Sequence, residues 1–466
     1  MNAPARAADR TEEERNPARS GTSLGTISLP DSPPLIPFDA PLPHPPLWQR
    51  ITKHRWFSHY NRLIAIVLAA NLIVALTNPV DDRLVTTAYM VNFLVTILIR
   101  HRFVVNAIFY SATSLPRWAP LRMRQLFGKM YQYGGIHVGA ALSALVWFCV
   151  HIGLSVRRGA WRADGLAFTD LALLISVLVL LVVIVLGALP VVRSRWHNVF
   201  ERTHRFGGWS ALAVLWAQTV VVAFEAGGHA FSLTALLSGA QFWVLLVATV
   251  CVVEPWVRLR RVPITVERPS SHIAVLEFDA RYNPFHGSTS AVSVNPLVEW
   301  HSFACIDAHG RPATRVFISR AGDWTGRFVD NPPRSLWIKG GPGRAFRDVE
   351  RLFGKVLFVC TGSGIGPAMS GFKYRTEPQA LVWVTRSPRK TYGDALVDEI
   401  LTTLPESIVI DTRQSGKPDM VKLCYQAVQR FKADAVICVA NKEVTWSVVS
   451  GLESRGIPAF GPVWDS

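Results

Sequence analysis

The chain has 466 residues, 50% of them hydrophobic, and a formal net charge of +16, with a mean hydropathy of +0.23. That length leaves room for two or three domains, and the hydropathy is high for a soluble protein. Six scattered cysteines with no C-x-x-C pair and no close Cys/His spacing exclude a disulfide scaffold and a zinc fold, and point to a reducing compartment.

From the N-terminus, MNAPARAADRTEEERNPARS continues Pro-rich to about residue 46, without the apolar core of a signal peptide. Residues 1–46 read as a disordered tail. Residues 47–257 carry six apolar stretches, at about 62–77, 84–99, 135–155, 170–192, 206–224 and 235–253. The fourth, LALLISVLVLLVVIVLGALPVV, meets the requirement of about 20 apolar residues per span; the first two are shorter. Basic clusters flank these runs: Arg50, Lys53, Arg55 and Arg62 before the first, Arg100 to Lys129 after the second, Arg193 to Arg205 after the fourth, and Arg258 to Arg261 after the sixth. Excess basic charge suits nucleic acid or an anionic membrane surface, but no nucleic-acid motif is recognisable, so the expected partner is the lipid bilayer. The loops at the other end of the runs are poorer in Arg and Lys. The expectation is an integral membrane protein with six spans and both termini cytoplasmic.

Histidines inside the runs are informative. In GGIHVGAALSALVWFCVHIG, His137 and His151 lie fourteen residues apart, so they share one helical face about 21 Å apart along the axis. In the fifth run His204 and Gln218 repeat that spacing. His137 then faces His204 at one depth, and His151 faces Gln218 at the other. An imidazole on each axial side of an iron is the arrangement of a bis-histidine haem b. The alternative is a set of interfacial or hydrogen-bonded polar residues in the bundle, and Gln is a poor iron ligand.

Beyond residue 258 the pattern changes. VPITVER, HIAVLEFDA, TSAVSVN, HSFACIDA, ATRVFISRAG and SLWIKGG read as strands of a small antiparallel β-barrel over residues 258–347. Residues 348–466 alternate strand and helix, as in a doubly wound α/β domain with a parallel sheet. It begins with FVCTGSGIGPAMS, a strand running into a glycine-rich turn. Glycines there let backbone N–H groups approach a pyrophosphate. G-x-G-x-G alone is a weak signal, strengthened by its place after a barrel.

Several motifs, in order, resemble the ferric reductase and NADPH oxidase superfamily, whose ferredoxin-reductase-like FAD and NAD(P) modules follow six spans; the nearest resemblance is to TmpA/TmpL-type integral membrane oxidoreductases. Glu299-Trp300-His301-Ser302-Phe303 is similar to the E-W-H-P-F flavin motif, and Gly322-Asp323-Trp324-Thr325 to the G-D-W-T that follows it. Lys339-Gly340-Gly341-Pro342-Gly343 resembles the D-G-P-[FY]-G turn closing the flavin barrel. Thr361, Gly362, Gly364, Gly366 and Pro367 resemble the nicotinamide-nucleotide loop, and WVTRSP resembles the strand whose Arg, here Arg386, meets the nucleotide phosphate. Val436-Ile437-Cys438 resembles the strand ending in C-G-P, and Trp464 the C-terminal aromatic that covers the flavin.

The resemblance implies FAD held by His301, Ser302, Phe303, Gly341 and Gly343, with NAD(P)H at Thr361–Pro367 and Arg386. It places Cys438 near the nicotinamide and has Trp464 swing aside as hydride passes to FAD. Electrons then go to a haem at His137/His204, with a second haem at His151 as an alternative, or to a small-molecule acceptor. Ser302 for Pro, Ala304 for a hydroxyl residue, Val439-Ala440 for Gly-Pro and Gln218 for the fourth haem histidine are departures. They leave open a haem-free membrane-anchored flavoprotein and a regulatory protein that has lost catalysis. TRSPRK, basic and without an acid for a ribose hydroxyl, leans toward NADPH.

Overall fold

In the computed structural model, which describes residues 42–162, 165–282, 288–308, 312–344, 346–371 and 378–462, the apolar half is helical. Its principal helices are α1 (His59–Thr77), α2 (Asp82–Leu98), α3 (Arg102–Thr113), α4 (Leu121–Gly128), α5 (Gly134–Arg157), α6 (Leu166–Ala188), α7 (His197–Ala226) and α8 (Ala240–Val257). Side-chain caps start the first two: Ser58 accepts from the Asn61 N–H and Asp81 from the Leu84 N–H. Five helices, α1 and α5 to α8, are long and apolar enough to cross a membrane; α2 makes a sixth only if joined to α3, from which it bends by 77°. The six apolar stretches are thus all helical. The cationic segment after the second, which reads in the sequence as a connection, itself folds into α3 and α4.

Aromatic and aliphatic side chains, among them Tyr89, Trp147, Phe148, Leu174, Leu215 and Leu245, fill the centre of the bundle. The outer faces are apolar and uncovered. No residue of α1 is buried, and Leu72, Ile73, Val179, Val183 and Val250 stand exposed.

The strands β1 (Arg260–Pro263), β2 (Thr265–Glu267), β3 (Ile273–Asp279), β4 (Ser288–Ser293), β5 (His301–Ala304), β6 (Ile306–Asp307), β7 (Ala313–Ser319) and β8 (Ser335–Arg344) make two four-stranded antiparallel sheets, ordered β1-β8-β4-β5 and β2-β3-β7-β6. VPITVER and HSFACIDA each divide into two strands, so the barrel has eight where six segments are legible in the sequence. Between the sheets lie Val262, Leu276, Val292, Val316, Ile318 and Ile338, joined by Trp324 and Phe328 from α9 (Asp323–Asp330). Strand β3 is buried on both faces. Ala274, Leu276 and Phe278 enter the barrel core, while Ile273 and Val275 pack against the neighbouring sheet with Phe358, Ile365 and Phe460.

That second sheet is wholly parallel, in the order β11-β10-β9-β12-β13. Its strands are β9 (Val356–Thr361), β10 (Gln379–Thr385), β11 (Ser407–Asp411), β12 (Ala435–Val439) and β13 (Ala459–Phe460). Helix α10 (Ile365–Met369) follows β9, α11 (Met420–Phe431) precedes β12 and α12 (Lys442–Glu453) follows it. Strands β10 and β12 flank β9 on opposite sides, so the chain reverses its direction of winding at β9. A crevice opens beyond the carboxyl ends of strands at such a point, and the glycine-rich turn stands there.

Candidate functional site

The connecting segments of the bundle dock on the β-rich half through cations that donate to backbone carbonyls. Arg102 reaches the carbonyl of Lys339 at 3.2 Å, Arg124 that of Leu352 at 3.0 Å, Lys129 that of Ala459 at 3.2 Å and Arg205 that of Leu297 at 2.7 Å. Lys129 also pairs with Glu453 of α12 at 2.6 Å. Burial lowers the affinity of Lys129 for its proton, but the Glu453 carboxylate more than offsets this, and its pKa stands above the ordinary lysine value.

Where bundle, barrel and parallel sheet meet there is a cavity of about 1470 Å³. It is lined by His137 and His204 of the bundle, by Ala291, Ser302 and Lys339 of the barrel, and by Thr445, Trp446 and Gly461 beyond β12. The ring centres of His137 and His204 lie 6.2 Å apart. Two imidazoles coordinating one iron from opposite sides, each nitrogen ~2 Å from the metal, have ring centres ~6 Å apart. Nδ1 of His137 is 2.9 Å from the Thr96 carbonyl oxygen. A carbonyl only accepts, so the proton is on Nδ1, and the Nε2 lone pair is left for a metal. Nδ1 of His204 is buried without a partner. These two residues fit a haem.

The level of His151 does not. Gln218 donates to Asp170 at 2.7 Å and accepts from Gln241, which also donates to Thr219 at 2.9 Å. His151 packs against the rings of Tyr89 and Phe148, at 5.3 and 6.5 Å. The cavity beside Tyr89 and Gln241 measures about 30 Å³, the room of about one water. Gln218, the residue opposite His151, is thus committed to other bonds. Among the described residues no cluster of three or more His, Cys, Asp or Glu is placed to hold a metal ion.

On the barrel wall, strand register decides which residues face the cavity. Ala291 pairs with Ser302 on one side and with Lys339 on the other, so these three share a face. His301 and Phe303 point the opposite way. His301 stacks on Trp324 with ring centres 4.1 Å apart, and Phe303 lies 6.1 Å from the same indole. Of the flavin-motif residues, Trp300 and Ser302 line the cavity, while His301 and Phe303 lie on the other face of the strand. Burial lowers the pKa of His301, and Glu299 at 3.6 Å partly restores it. On β8, Gly341 has open space around its Cα, whereas a Cβ on Gly343 would come within 3.0 Å of the Thr289 hydroxyl.

Lys339 is the residue that sequence reasoning missed. Its Nζ lies 5.2 Å from the ring centre of Trp256 and 5.3 Å from that of Trp300. Burial, then Arg205 and Arg102, bring its pKa down to about 8. A lysine opening a K-G-G-P-G turn looks like surface in a sequence, and only the pairing of β8 with β4 turns it inward.

The glycine-rich turn adjoins the cavity without lining it. Gly362 has φ +51°, and its carbonyl accepts from the Trp383 indole at 2.9 Å. A Cβ on Gly364 would stand 2.1 Å from the Val439 carbonyl oxygen, so only glycine lets the turn press against the end of β12. Thr361 ends β9, Gly366 packs over Phe317 of the barrel, and Pro367 lies within α10. Arg386 is exposed just past β10. Cys438 is fully buried among Leu357, Val359 and Cys424 on the helix-covered side of the sheet, and burial pushes its thiol pKa up to about 12. Val439 is the strand-end residue that meets the turn. Trp464 lies outside the described residues.

A helical bundle carrying an antiparallel barrel and a doubly wound parallel sheet is a ferredoxin-reductase-like module on an apolar helical base. Residues 346–466 match a family described as Adenylate-forming reductase 03009, C-terminal domain. Over 90% of its length the chain is 38% identical to Adenylate-forming reductase 03009 of Coprinopsis cinerea and 36% identical to Adenylate-forming reductase 06235 of the same fungus. It spans 41% of the length of each of these relatives. A ferredoxin NADP+ reductase from Neisseria gonorrhoeae with bound FAD and NADP is similar over 44% of this chain and 99% of that one, at 15% identity and a TM-score of 0.37. A flavohemoglobin from Malassezia yamatoensis is similar over 80% and 98%, at 12% identity and 0.39. Likenesses of that size add nothing to the topology already described.

Proposed function

We propose that this chain is a membrane-bound flavoprotein oxidoreductase, ferric reductase-like in plan. It takes hydride from NAD(P)H to FAD and passes electrons to a haem b between His137 and His204, or to a small acceptor in the same cavity. The observation that carries this reading is the cavity, whose walls run from α12 at Thr445 and Trp446, past Ser302 and Lys339, to the two histidines. FAD supplies the chemistry, accepting two electrons as hydride and releasing them singly. The chain supplies placement. The turn at Gly362–Pro367 offers backbone donors to a pyrophosphate, and exposed Arg386 suits the 2′-phosphate of NADPH. The relatives' names join adenylate formation to reduction; the reduction is what this chain's fold can carry.

The bilayer reading is supported by the uncovered apolar faces of α1 and α6 to α8, since a protein surrounded by water rarely leaves so much apolar surface open. The α2–α3 pair supplies the sixth crossing in this reading, with both ends of the described chain on the side of the β-rich half.

A visible spectrum of full-length protein purified in detergent tests the proposal. Flavin absorbance with a Soret band, the latter lost in His137→Ala and in His204→Ala but kept in His151→Ala, is the expected result. Flavin without a Soret band assigns the electrons to a small acceptor instead. Protein that binds neither group refutes the oxidoreductase reading.

A further inference from the structure

A buried ammonium normally has a carboxylate beside it. Lys339 is half-buried, and Glu201, a carboxylate whose charge acts on it, is itself paired with Arg205. The neighbours of Lys339, Arg102 and Arg205, are cations, and each already donates to a backbone carbonyl. The acids on the adjoining helices are engaged elsewhere: Glu201 with Arg205, and Glu254 with Arg258 at 2.6 Å. Lys339, Arg102 and Arg205 therefore outnumber the carboxylates Glu201 and Glu254 that act on them, and a ligand bringing negative charge to this cavity wall would offset the excess.

The shape of the wall narrows the ligand class. Ala291 and Ser302 are small and lie side by side, and the indoles of Trp256 and Trp300 frame Lys339. This is room for a flat ring. A diphosphate calls for Arg forks or clustered backbone N–H groups, and here the Arg side chains are spent on carbonyls. We propose that Lys339 is the counter-charge to a flavin ring that has become anionic by accepting hydride, and so sets the ring's reduction potential. The inference rests on the flavin reading above. When hydride leaves NAD(P)H, two electrons and one proton move to the ring, which becomes singly negative while the nucleotide becomes NAD(P)+. The Lys339 ammonium keeps its proton and balances that charge. Its role is electrostatic tuning.

The test uses the full-length protein in detergent with added FAD, comparing wild type, Lys339→Met, Lys339→Gln and Lys339→Arg. The flavin midpoint potential is followed by spectroelectrochemistry, and the affinity for oxidised FAD by fluorescence quenching. Met and Gln are expected to bind oxidised FAD nearly as wild type does, but to lose about tenfold in affinity for reduced over oxidised FAD, with a more negative potential. Arg should keep the wild-type potential. Lys339 titrates at about 8, and a reduced ring holds its proton more firmly. Above that pH the wild-type potential should therefore fall more steeply than that of Lys339→Arg. Flavin-loaded, folded Met and Gln variants with the wild-type potential and pH slope would overturn the proposal. Wild-type protein that takes up no FAD would overturn the flavin reading itself, and this inference with it.

Discussion

Replacing Glu453 by Gln should loosen the nucleotide sheet from the helical base. The Lys129–Glu453 pair joins them at 2.6 Å, with each side chain only 13% exposed. Removing one partner of a buried ion pair costs about 3–5 kcal/mol, mostly because the other charge is left without compensation. Lys129 keeps the Ala459 carbonyl at 3.2 Å and the Phe460 ring at 5.3 Å, so the lower end, ~3 kcal/mol, is expected. That corresponds to roughly a hundredfold shift toward the undocked state, at about 1.4 kcal/mol per decade. Amide hydrogen exchange should show the loss in α12 and β13, with the bundle core unchanged. Adding Lys129→Met removes the stranded charge and should recover most of the deficit. The pH sign follows from the raised pKa of Lys129. The pair's contribution is complete below the ordinary lysine value of about 10.4 and is lost only as pH rises through the higher folded value, so the deficit should be flat from about pH 6 to 9. Unchanged exchange in β13, or a double variant no better than Glu453→Gln alone, would refute the reasoning.

Gly364→Ala should destabilise the chain by at least ~2 kcal/mol, because its Cβ meets backbone atoms of Val439 and no side chain can swing away. A thermal melt together with retention on immobilised 2′-phospho-ADP checks this; wild-type melting and retention would show that the turn does not press on β12. The Cys438 thiol, buried and with its pKa pushed up to about 12, should resist iodoacetamide at pH 8 in folded protein and react only on unfolding. Cys438→Ala should cost about 1 kcal/mol of stability and leave the rate of flavin reduction by NADPH unaltered. A marked fall in that rate would place Cys438 beside the nicotinamide.

In two strand motifs, neighbouring residues fall on opposite faces of a sheet. In the flavin motif the expected contacts are His301, Ser302 and Phe303; Trp300 and Ser302 face the cavity, and His301 and Phe303 the other side. In the strand toward the C-terminus the expected contact is Cys438, and the residue that meets the turn is Val439. Each step is one residue along a strand, and one residue is the difference between the two faces of a sheet. A motif spells residue types in order; the face they take is set by pairing with strands such as β4 and β8, distant in sequence. The helical pair His137 and His204 was legible because fourteen residues are close to four whole turns, so one helix suffices to place its own histidines. Lys339 was illegible for the strand reason again. The eight-strand barrel was read as six segments because short breaks such as that between β1 and β2 interrupt an otherwise continuous run of β-formers.

The cations beside the apolar helices carry two arguments that should be kept apart. In the sequence their clustering orients the chain by the rule that Arg and Lys favour the cytoplasmic side of a membrane. In the structure Arg102, Arg124, Lys129 and Arg205 have a reason of their own to be there, since they hold backbone carbonyls of the β-rich half. They cannot also be counted as free votes for the membrane rule. Orientation nevertheless follows from which helix ends they mark. The start of α5, the start of α7 and the end of α2 lie beside docking cations, and α8 runs directly into β1. The segment before α1 reaches the same half through Lys53, 3.8 Å from Glu453, and through the Pro43 carbonyl, 2.9 Å from Arg455 Nε. At the far end, Asp82 at the start of α2 pairs with Arg158 just beyond α5. If the bundle spans a bilayer, both ends of the described chain lie on the side of the nucleotide sheet, whatever the loop charges are. Charge reversal of the undocked basic residues should then leave the topology unchanged.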